Sequence, residues 1–166
     1  MTRIESPVGP LVAGASEQAL CLLEFATAGA WERRASVLRR RFDCPVLRGS
    51  NALIEQAREE LASYFEGRLR RFRVPLVYPG TPFQEAVWKR LIAIPYGRTI
   101  SYERLAGDIG HPGAQRAVGT ANGRNRIAII IPCHRVVNKS GRLGGYGGGL
   151  RRKRFLLDLE GATVGE

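Results

Sequence analysis

The densest chemistry in the chain is Pro132-Cys133-His134-Arg135, where a thiol, an imidazole and a guanidinium follow one another at the end of the apolar run Ile127 to Ile131. A thiol at its ordinary pKa of about 8.5 is only a few per cent thiolate at neutral pH, so a nucleophilic cysteine needs a base or a positive charge beside it. His134 and Arg135 are the candidates. A cysteine ending a β-branched run is otherwise most often a small buried hydrophobe. Adjacent residues of a regular strand also point to opposite faces. Use of His134 as the base therefore requires a turn after Pro132, or a water bridging thiol and imidazole.

A histidine in this role needs a third group to fix its tautomer. Glu160 is the acid of choice. Arg151 to Glu160 reads as a last helix closed by Gly161, and a carboxylate in a final helical turn opposes the helix dipole at a cost of roughly 0.3–1 kcal/mol. Something should hold it there; a solvated terminal glutamate is the alternative. Between the two candidates, residues 141–150 contain six glycines. That loop lacks the spacing of a phosphate-binding P-loop. It can bring backbone against a flat ligand with Tyr146 lining the site, or it can simply be flexible.

The elements that must position these groups are legible from turn and cap signals. Thr2–Glu5, Leu11–Ala15 and Ala19–Phe25 read as a small antiparallel meander turned by Ser6-Pro7-Val8-Gly9-Pro10. Helical patterns follow at Trp31 to Phe42 and from Asn51, where Ile54, Ala57, Leu61, Tyr64 and Phe65 share a face until Gly67. Gly67 to Gly80 has no periodic element and is the linker, so we place an N-terminal domain at residues 1–79 and a second at 80–166. Thr81 as N-cap, Pro82 at the first helical position and Gln84 three residues after the cap start a helix stopped by Pro95. Its buried stripe is Phe83, Val87, Trp88, Leu91 and Ile92, with Trp88 as core.

Ser101 can cap a short helix from Tyr102 to Ile109. Gly110-His111-Pro112-Gly113 turns the chain, and a second helix runs from Ala114 to about Gly123. Two short helices around a glycine turn are the helix-turn-helix pattern. The second helix carries Ala117, Gly119, Thr120 and Ala121 beside Arg116. Small side chains let a partner approach the backbone while the arginine projects; a tightly packed core helix is the other reading.

The chain has 166 residues, 44% of them hydrophobic, enough for one or two buried cores. No segment approaches the roughly 20 apolar residues of a membrane span, and the N-terminus lacks the basic-then-apolar order of a secretory signal. A cytoplasmic location is expected. Cys21, Cys44 and Cys133 are odd in number and come with only His111 and His134, which supports neither a disulfide framework nor a zinc site. The net charge is +11. Residues 81–166 hold 14 basic and 6 acidic groups against 12 and 9 in residues 1–80, so the second half is the expected polyanion face.

Pro132-Cys133-His134-Arg135-Val136 resembles the active-site signature of the O6-alkylguanine-DNA alkyltransferases, also called methylated-DNA–protein-cysteine methyltransferases. Other segments match in order: Gly80-Thr81-Pro82-Phe83-Gln84 with Val87-Trp88, Thr99-Ile100-Ser101-Tyr102, Arg116-Ala117-Val118-Gly119, Asn125, Gly145-Tyr146 with Gly148-Gly149-Leu150, and Leu156-Leu157 with Glu160-Gly161. The likeness covers nearly all of residues 80–161, with a weaker match at Ser6 to Leu11 and Tyr64 to Gly67.

The resemblance implies an α+β fold: a small three-stranded antiparallel sheet with helices, then a mainly helical, winged-helix-like DNA-binding domain containing the helix-turn-helix. It implies repair by direct reversal, in which a flipped-out O6-alkylguanine, with O4-alkylthymine left open, gives its alkyl group irreversibly to Cys133. His134 would activate the thiol through a water, Glu160 would orient His134, and Asn125 would hold the active-site segment. Tyr102 would assist flipping and donate to the base, Tyr146 would line the alkyl pocket, and Gly148 would join them in binding the substrate. Arg116 would be the finger entering the stack, with Ala117, Gly119, Thr120, Ala121 and Arg124 against the minor groove.

The expected partner is double-stranded DNA met by a monomer, with cooperativity on DNA open, no membrane, no cofactor, and a nucleoid association in a bacterium. Leu159 stands where many relatives have His and Arg126 where many have Pro. Some relatives hold a zinc ion through the N-terminal half; Cys21 and Cys44 have no histidine there, and no metal is expected. The adaptive-response domain of some bacterial relatives has no counterpart, which points to a stand-alone form. Two other readings compete: a non-catalytic damage binder, in which the cysteine is replaced, and a cysteine hydrolase with a Cys-His-Glu triad, which adjacent Cys133 and His134 suit badly.

Overall fold

The structure, a computed structural model, describes residues 1–27 and 29–165. The chain divides into two compact units, Met1–Val77 and Tyr78–Glu166.

In the first unit, strands β1 (Thr2–Ile4), β2 (Leu11–Ala15) and β3 (Leu20–Phe25) form an antiparallel sheet in sequence order. All of β2 but its last residue is buried, as required of a central strand covered on both faces. Helix α1 (Ala30–Phe42) closes one cluster, in which Ala35 and Leu38 meet Met1, Val12 and Leu22. Helix α2 (Ala52–Phe65) packs on β2 and β3 and buries Ile54, Ala57, Leu61 and Tyr64, as expected from its periodicity, while Phe65, expected on the same face, is half-buried one residue past Tyr64. Asn51 caps it by accepting the amide of Ile54 at 3.0 Å.

The second unit begins with α3 (Pro82–Ile92), whose capping box is formed in both directions between Thr81 and Gln84. Val87, Trp88 and Leu91 are its buried residues. Ile92, expected in the same stripe, is instead 42% exposed, because one residue beyond Leu91 turns its side chain about 100° around the axis. Phe83 is half-buried, edge-on to His111. The Trp88 indole donates to the carbonyl of Ala121 at 2.9 Å, which ties α3 to the later helix α5.

Strand β4 (Ile100–Ser101) leads straight into α4 (Tyr102–Asp108), capped by the Ser101 hydroxyl at the amide of Arg104. Gly110 and Gly113, at φ of 77° and 88°, make the turn into α5 (Gln115–Gly123), a conformation that costs glycine little. This is the expected helix-turn-helix. A 3-10 turn at Cys133–Arg135 then feeds β5 (Val136–Val137), which pairs parallel with β4. Helix α6 (Leu150–Leu159) ends the unit. The β4–β5 pair was not anticipated, since two residues per strand leave no alternation to read. Among the described residues, no helix is long and apolar enough to cross a membrane.

Gly80 lies against the indole: a Cβ there would stand 2.6 Å from Trp88 Cζ3. Gly80→Ala should therefore cost about 1–3 kcal/mol by overpacking. A urea titration followed by far-UV circular dichroism measures this, and an unchanged midpoint would contradict it.

Candidate active site

Residues 127–131 do not form the strand their β-branched composition suggests. They coil. The amide of Ile131 donates to the carbonyl of Ile127, and that of Ile130 donates to the carbonyl of Ala128. The second bond closes a γ-turn around Ile129, whose φ is 72°. This is a rare conformation for a β-branched residue, held because every side chain from Ile127 to Ile131 is buried. A second such turn follows at Pro132, where the Cys133 amide donates to Ile131. The 3-10 turn thus supplies the bend that lets Cys133 and His134 serve one site.

Cys133 is 7% exposed. Asn125 holds the segment from one side: its amide nitrogen donates to the carbonyl of Ile131 at 2.8 Å and to Cys133 Sγ at 3.2 Å, and its Oδ1 accepts the Ile127 amide. Burial pushes the thiol pKa up, while the Asn125 bond and the charge of Lys153 pull against it.

His134 is fully buried, and its Nε2 lies 2.9 Å from Glu160 Oε1. Burial lowers the imidazole pKa against the opposing pull of Glu160. The carboxyl responds in the opposite sense: burial alone would raise it, but hydrogen bonds and charge from His134 and Arg135 hold it at about 2. An ionised Glu160 accepts only, so Nε2 carries the proton and Nδ1 keeps a free lone pair. Nδ1 is buried and has no protein partner. A base with an unused lone pair one residue from the thiol is placed for a bridging water.

Arg135 does not stand beside the thiol. Its Nε and Nη2 donate to the two oxygens of Glu160 at 2.8 and 2.9 Å, its Nη1 donates to the carbonyl of Ile94, and it lies over the Tyr96 ring. The positive charge near the thiol is Lys153. Its ammonium donates to the carbonyls of Val136, Leu143 and Gly145, and burial brings its pKa down to about 8 with Cys133 opposing. A basic run conceals this residue in the sequence. The signal that could have found it is its spacing, since Lys153 lies seven residues before Glu160, on the face of α6 that buries Leu156 and Leu157.

Tyr102 and Tyr146 complete the surroundings of the thiol. Both phenols are raised first by burial and then by proximity to Cys133, Tyr146 to well above its ordinary value. The Tyr102 hydroxyl donates to the carbonyl of Gly145 at 3.3 Å, and Gly148, two residues after Tyr146, accepts from Arg152 at 2.9 Å. Gly144 sits at φ of 64°, where a Cβ would meet Asn138 Oδ1 at 2.7 Å. Asn122, unmarked by any sequence signal, is buried on α5 and donates to the Cys133 carbonyl at 3.4 Å.

On α5, Arg116, Ala117 and Thr120 are exposed, as is Arg124 just after the helix, and Gly119 is half-buried beside the Tyr102 ring. Ala121 is 2% exposed and its carbonyl accepts from the Trp88 indole, so it does not share the exposed surface of Arg116. A cleft of about 350 Å³ opens among Tyr102, Arg116, Gly119 and Asn138, a size that suits a small ligand. No group of three or more His, Cys, Asp or Glu among the described residues could hold a metal ion.

The unit is thus a helix-turn-helix domain that carries a buried cysteine with a carboxylate-fixed histidine. Comparison with known proteins places that combination. The family described as 6-O-methylguanine DNA methyltransferase matches through its DNA-binding domain at residues 82–162 and its ribonuclease-like domain at residues 1–78. A methylated-DNA–protein-cysteine methyltransferase of Methanosarcina barkeri is 44% identical over 95% of this chain and 94% of its own. That of Mycobacterium bovis is 60% identical over 61% of this chain, and the match spans 62% of that relative's length. A crystal structure of Mycobacterium tuberculosis OGT in complex with DNA superposes with a TM-score of 0.82 at 45% identity, covering 96% of this chain and 91% of that one. The chain belongs to the 6-O-methylguanine DNA methyltransferase family.

Glu160 links the site to stability. Its pKa of about 2 lies below the ordinary 4.5, so its contribution is complete above pH 4.5 and is lost as pH falls toward 2. Glu160→Gln leaves a buried guanidinium uncompensated and should cost about 3–5 kcal/mol at pH 7. Urea unfolding of both proteins between pH 7 and 3 tests this: the gap should narrow below pH 4.5, and a gap that stays constant would refute the assignment.

Proposed function

We propose that this protein repairs DNA by direct reversal, moving the alkyl group of O6-alkylguanine onto its own Cys133. The observation that carries this reading is a single thiol held by Asn125 at 3.2 Å and followed by an imidazole whose tautomer Glu160 fixes at 2.9 Å, in a helix-turn-helix unit. Free-standing cysteine hydrolysis is poorly served, because the peptide order places thiol and base in adjacent positions with no direct contact between them.

In the proposed reaction a water passes the thiol proton to His134 Nδ1. The sulfur attacks the alkyl carbon and the carbon–O6 bond breaks with its electrons going to the purine, toward which the Tyr102 hydroxyl turns from the Gly145 carbonyl to donate a hydrogen bond. The purine anion takes up one proton from water to become guanine, and the imidazolium gives its proton back to water, so that no net charge remains. The imidazolium is stabilised by Glu160, whose ionised state costs no reorganisation. Lys153 supports the thiolate electrostatically. The product is a neutral thioether, and nothing in the site can return the alkyl group, so each molecule acts once.

The nucleotide must leave the duplex to reach a buried thiol. In this reading α5 enters the minor groove with Ala117, Gly119 and Thr120 close to the backbone, Arg116 fills the vacated stack, Arg124 meets phosphate, and the cleft beside Tyr102 receives the base. Flipping costs a few kcal/mol, and arginine insertion offsets part of it. Tyr146 and Gly148 line the alkyl side. Residues 1–79 act as a separate support domain, and the protein works as a cytoplasmic monomer.

Two experiments decide the reading. With an oligonucleotide carrying one O6-methylguanine, intact-mass analysis should find one added methyl, on the Cys133 peptide, and no second turnover; Cys133→Ala should bind and transfer nothing. Methyl transfer by the Cys133→Ala protein would end this mechanism. Arg116→Ala should slow transfer from duplex about tenfold or more while transfer from free O6-methylguanine is unaffected. Equal loss on both substrates would remove its flipping role.

A further inference from the structure

Between α2 and the second unit the chain reads Arg68-Leu69-Arg70-Arg71-Phe72-Arg73, four arginines in six residues. All four are exposed. The segment is nonetheless fixed in place. The amides of Arg68 and Leu69 donate to the carbonyl of Ser63 at 2.9 and 3.1 Å, and those of Arg73 and Val74 donate to the Glu60 carboxylate at 2.9 and 3.2 Å. Phe72 packs on the buried Tyr64, ring centres 5.3 Å apart, and Val74 is 4% exposed. Phe72 and Val74 are thereby turned inward, and the guanidiniums are presented from a backbone held at both ends.

Two of these charges, those of Arg71 and Arg73, have no carboxylate of their own among the described residues. Glu66 pairs with Arg68, and Glu60 is committed to backbone amides. Residues 66–74 hold four arginines and one glutamate, a net of +3, which equals the excess of the whole stretch 1–80 with its 12 basic and 9 acidic groups. The rest of that half is neutral. Crowded like charges repel unless a counter-ion is shared. All basic residues there are arginine, whose planar fork suits phosphate oxygens.

We infer that the Arg68–Arg73 segment is a second phosphodiester-binding surface, separate from α5, that holds the protein to duplex DNA regardless of sequence or damage. The inference rests on the DNA-repair reading, which supplies the polyanion. Arginines on a pinned loop bring their charge without a backbone ordering cost, and contacts to phosphate alone position a protein without reading bases.

The test is Arg71→Ala with Arg73→Ala in the full chain, titrated with undamaged duplex between about 50 and 200 mM salt. Each lost phosphate contact should reduce the slope of log K against log salt by about 0.9. Loss of both makes the wild-type affinity fall about 12-fold more than the variant's across that range. The double Lys variant should keep the wild-type slope, and methyl transfer from free O6-methylguanine should be unaffected. An unchanged slope with wild-type binding intact overturns this second surface alone. So does a variant that loses only cooperative clustering at an unchanged slope, because the arginines would then meet another copy of the chain. If the wild type shows no salt-dependent duplex binding, the DNA reading falls and this surface with it.

Discussion

The carboxylate of Glu160 is the point on which the second unit turns. It accepts from His134, twice from Arg135, and from the amide of Gly97 at 3.1 Å. It thereby fastens the end of α6, the 3-10 turn and the loop after α3 to one another. Arg135 extends the same network to the carbonyl of Ile94, and Tyr96 returns to the carbonyl of Leu159 at 3.0 Å. Gly97, at φ of 73°, must be glycine for this approach, since a Cβ would stand 2.8 Å from the Glu160 carbonyl. A buried ion pair of this kind is expensive to strip from water and repays the cost only when each lone pair is used. Here four donors use them, and the same bonds that hold the carboxyl ionised also fix which imidazole nitrogen is free.

A second set of contacts joins that centre to the helix-turn-helix. β4 and β5 pair Ile100 with Val136 and Ser101 with Val137. The cap of α4 is thus registered directly against the turn that carries Cys133. Asn122 and Asn125, at the end of α5 and just beyond it, reach the Cys133 carbonyl and thiol. Displacement of α5 by a nucleic acid would be felt at the sulfur through these amides. Trp88 fixes the helix from behind. On the proposed function, the surface that meets DNA and the atom that does the chemistry are therefore two ends of one short packed path.

Much of this was legible in the sequence where a local rule acts alone. Thr81, Pro82 and Gln84 announce α3 through capping chemistry, Ser101 announces α4, and the meander follows from three short strand-like runs and the proline-glycine turn. Cys133, His134 and Glu160 stand out by residue type and position and Asn125 by resemblance alone, and the structure brings them together. What failed to read was tertiary in origin. Ile127 to Ile131 has strand composition, but burial on all sides coils it and forces Ile129 to a positive φ. Arg135 looks like a neighbour for the thiol until the bend after Pro132 turns it to Glu160. Lys153 carries the same charge as Arg151, Arg152 and Arg154, and only its position on the α6 wheel marks it as the buried cation beside half-buried or exposed neighbours.

Burial works against a nucleophile, and here it is offset rather than avoided. It raises the Cys133 thiol and lowers the His134 imidazole, so the resting pair is thiol and neutral imidazole, and transferring the proton inside the site must create two buried charges. Each is met by a fixed partner: the thiolate by the Asn125 amide and the Lys153 ammonium, the imidazolium by a carboxylate already ionised. Because these partners are in place before reaction, the cost of charge separation is carried by the folding of the unit and not by the chemical step. The strained γ-turn at Ile129 belongs to the same account, since a conformation of this kind persists only where surrounding packing over-determines it. On the proposed reaction the site is used once, and the thiolate it stabilises ends as a neutral thioether that no longer needs the ammonium or the amide. The electrostatics are matched to the reactive state and lose their object in the product.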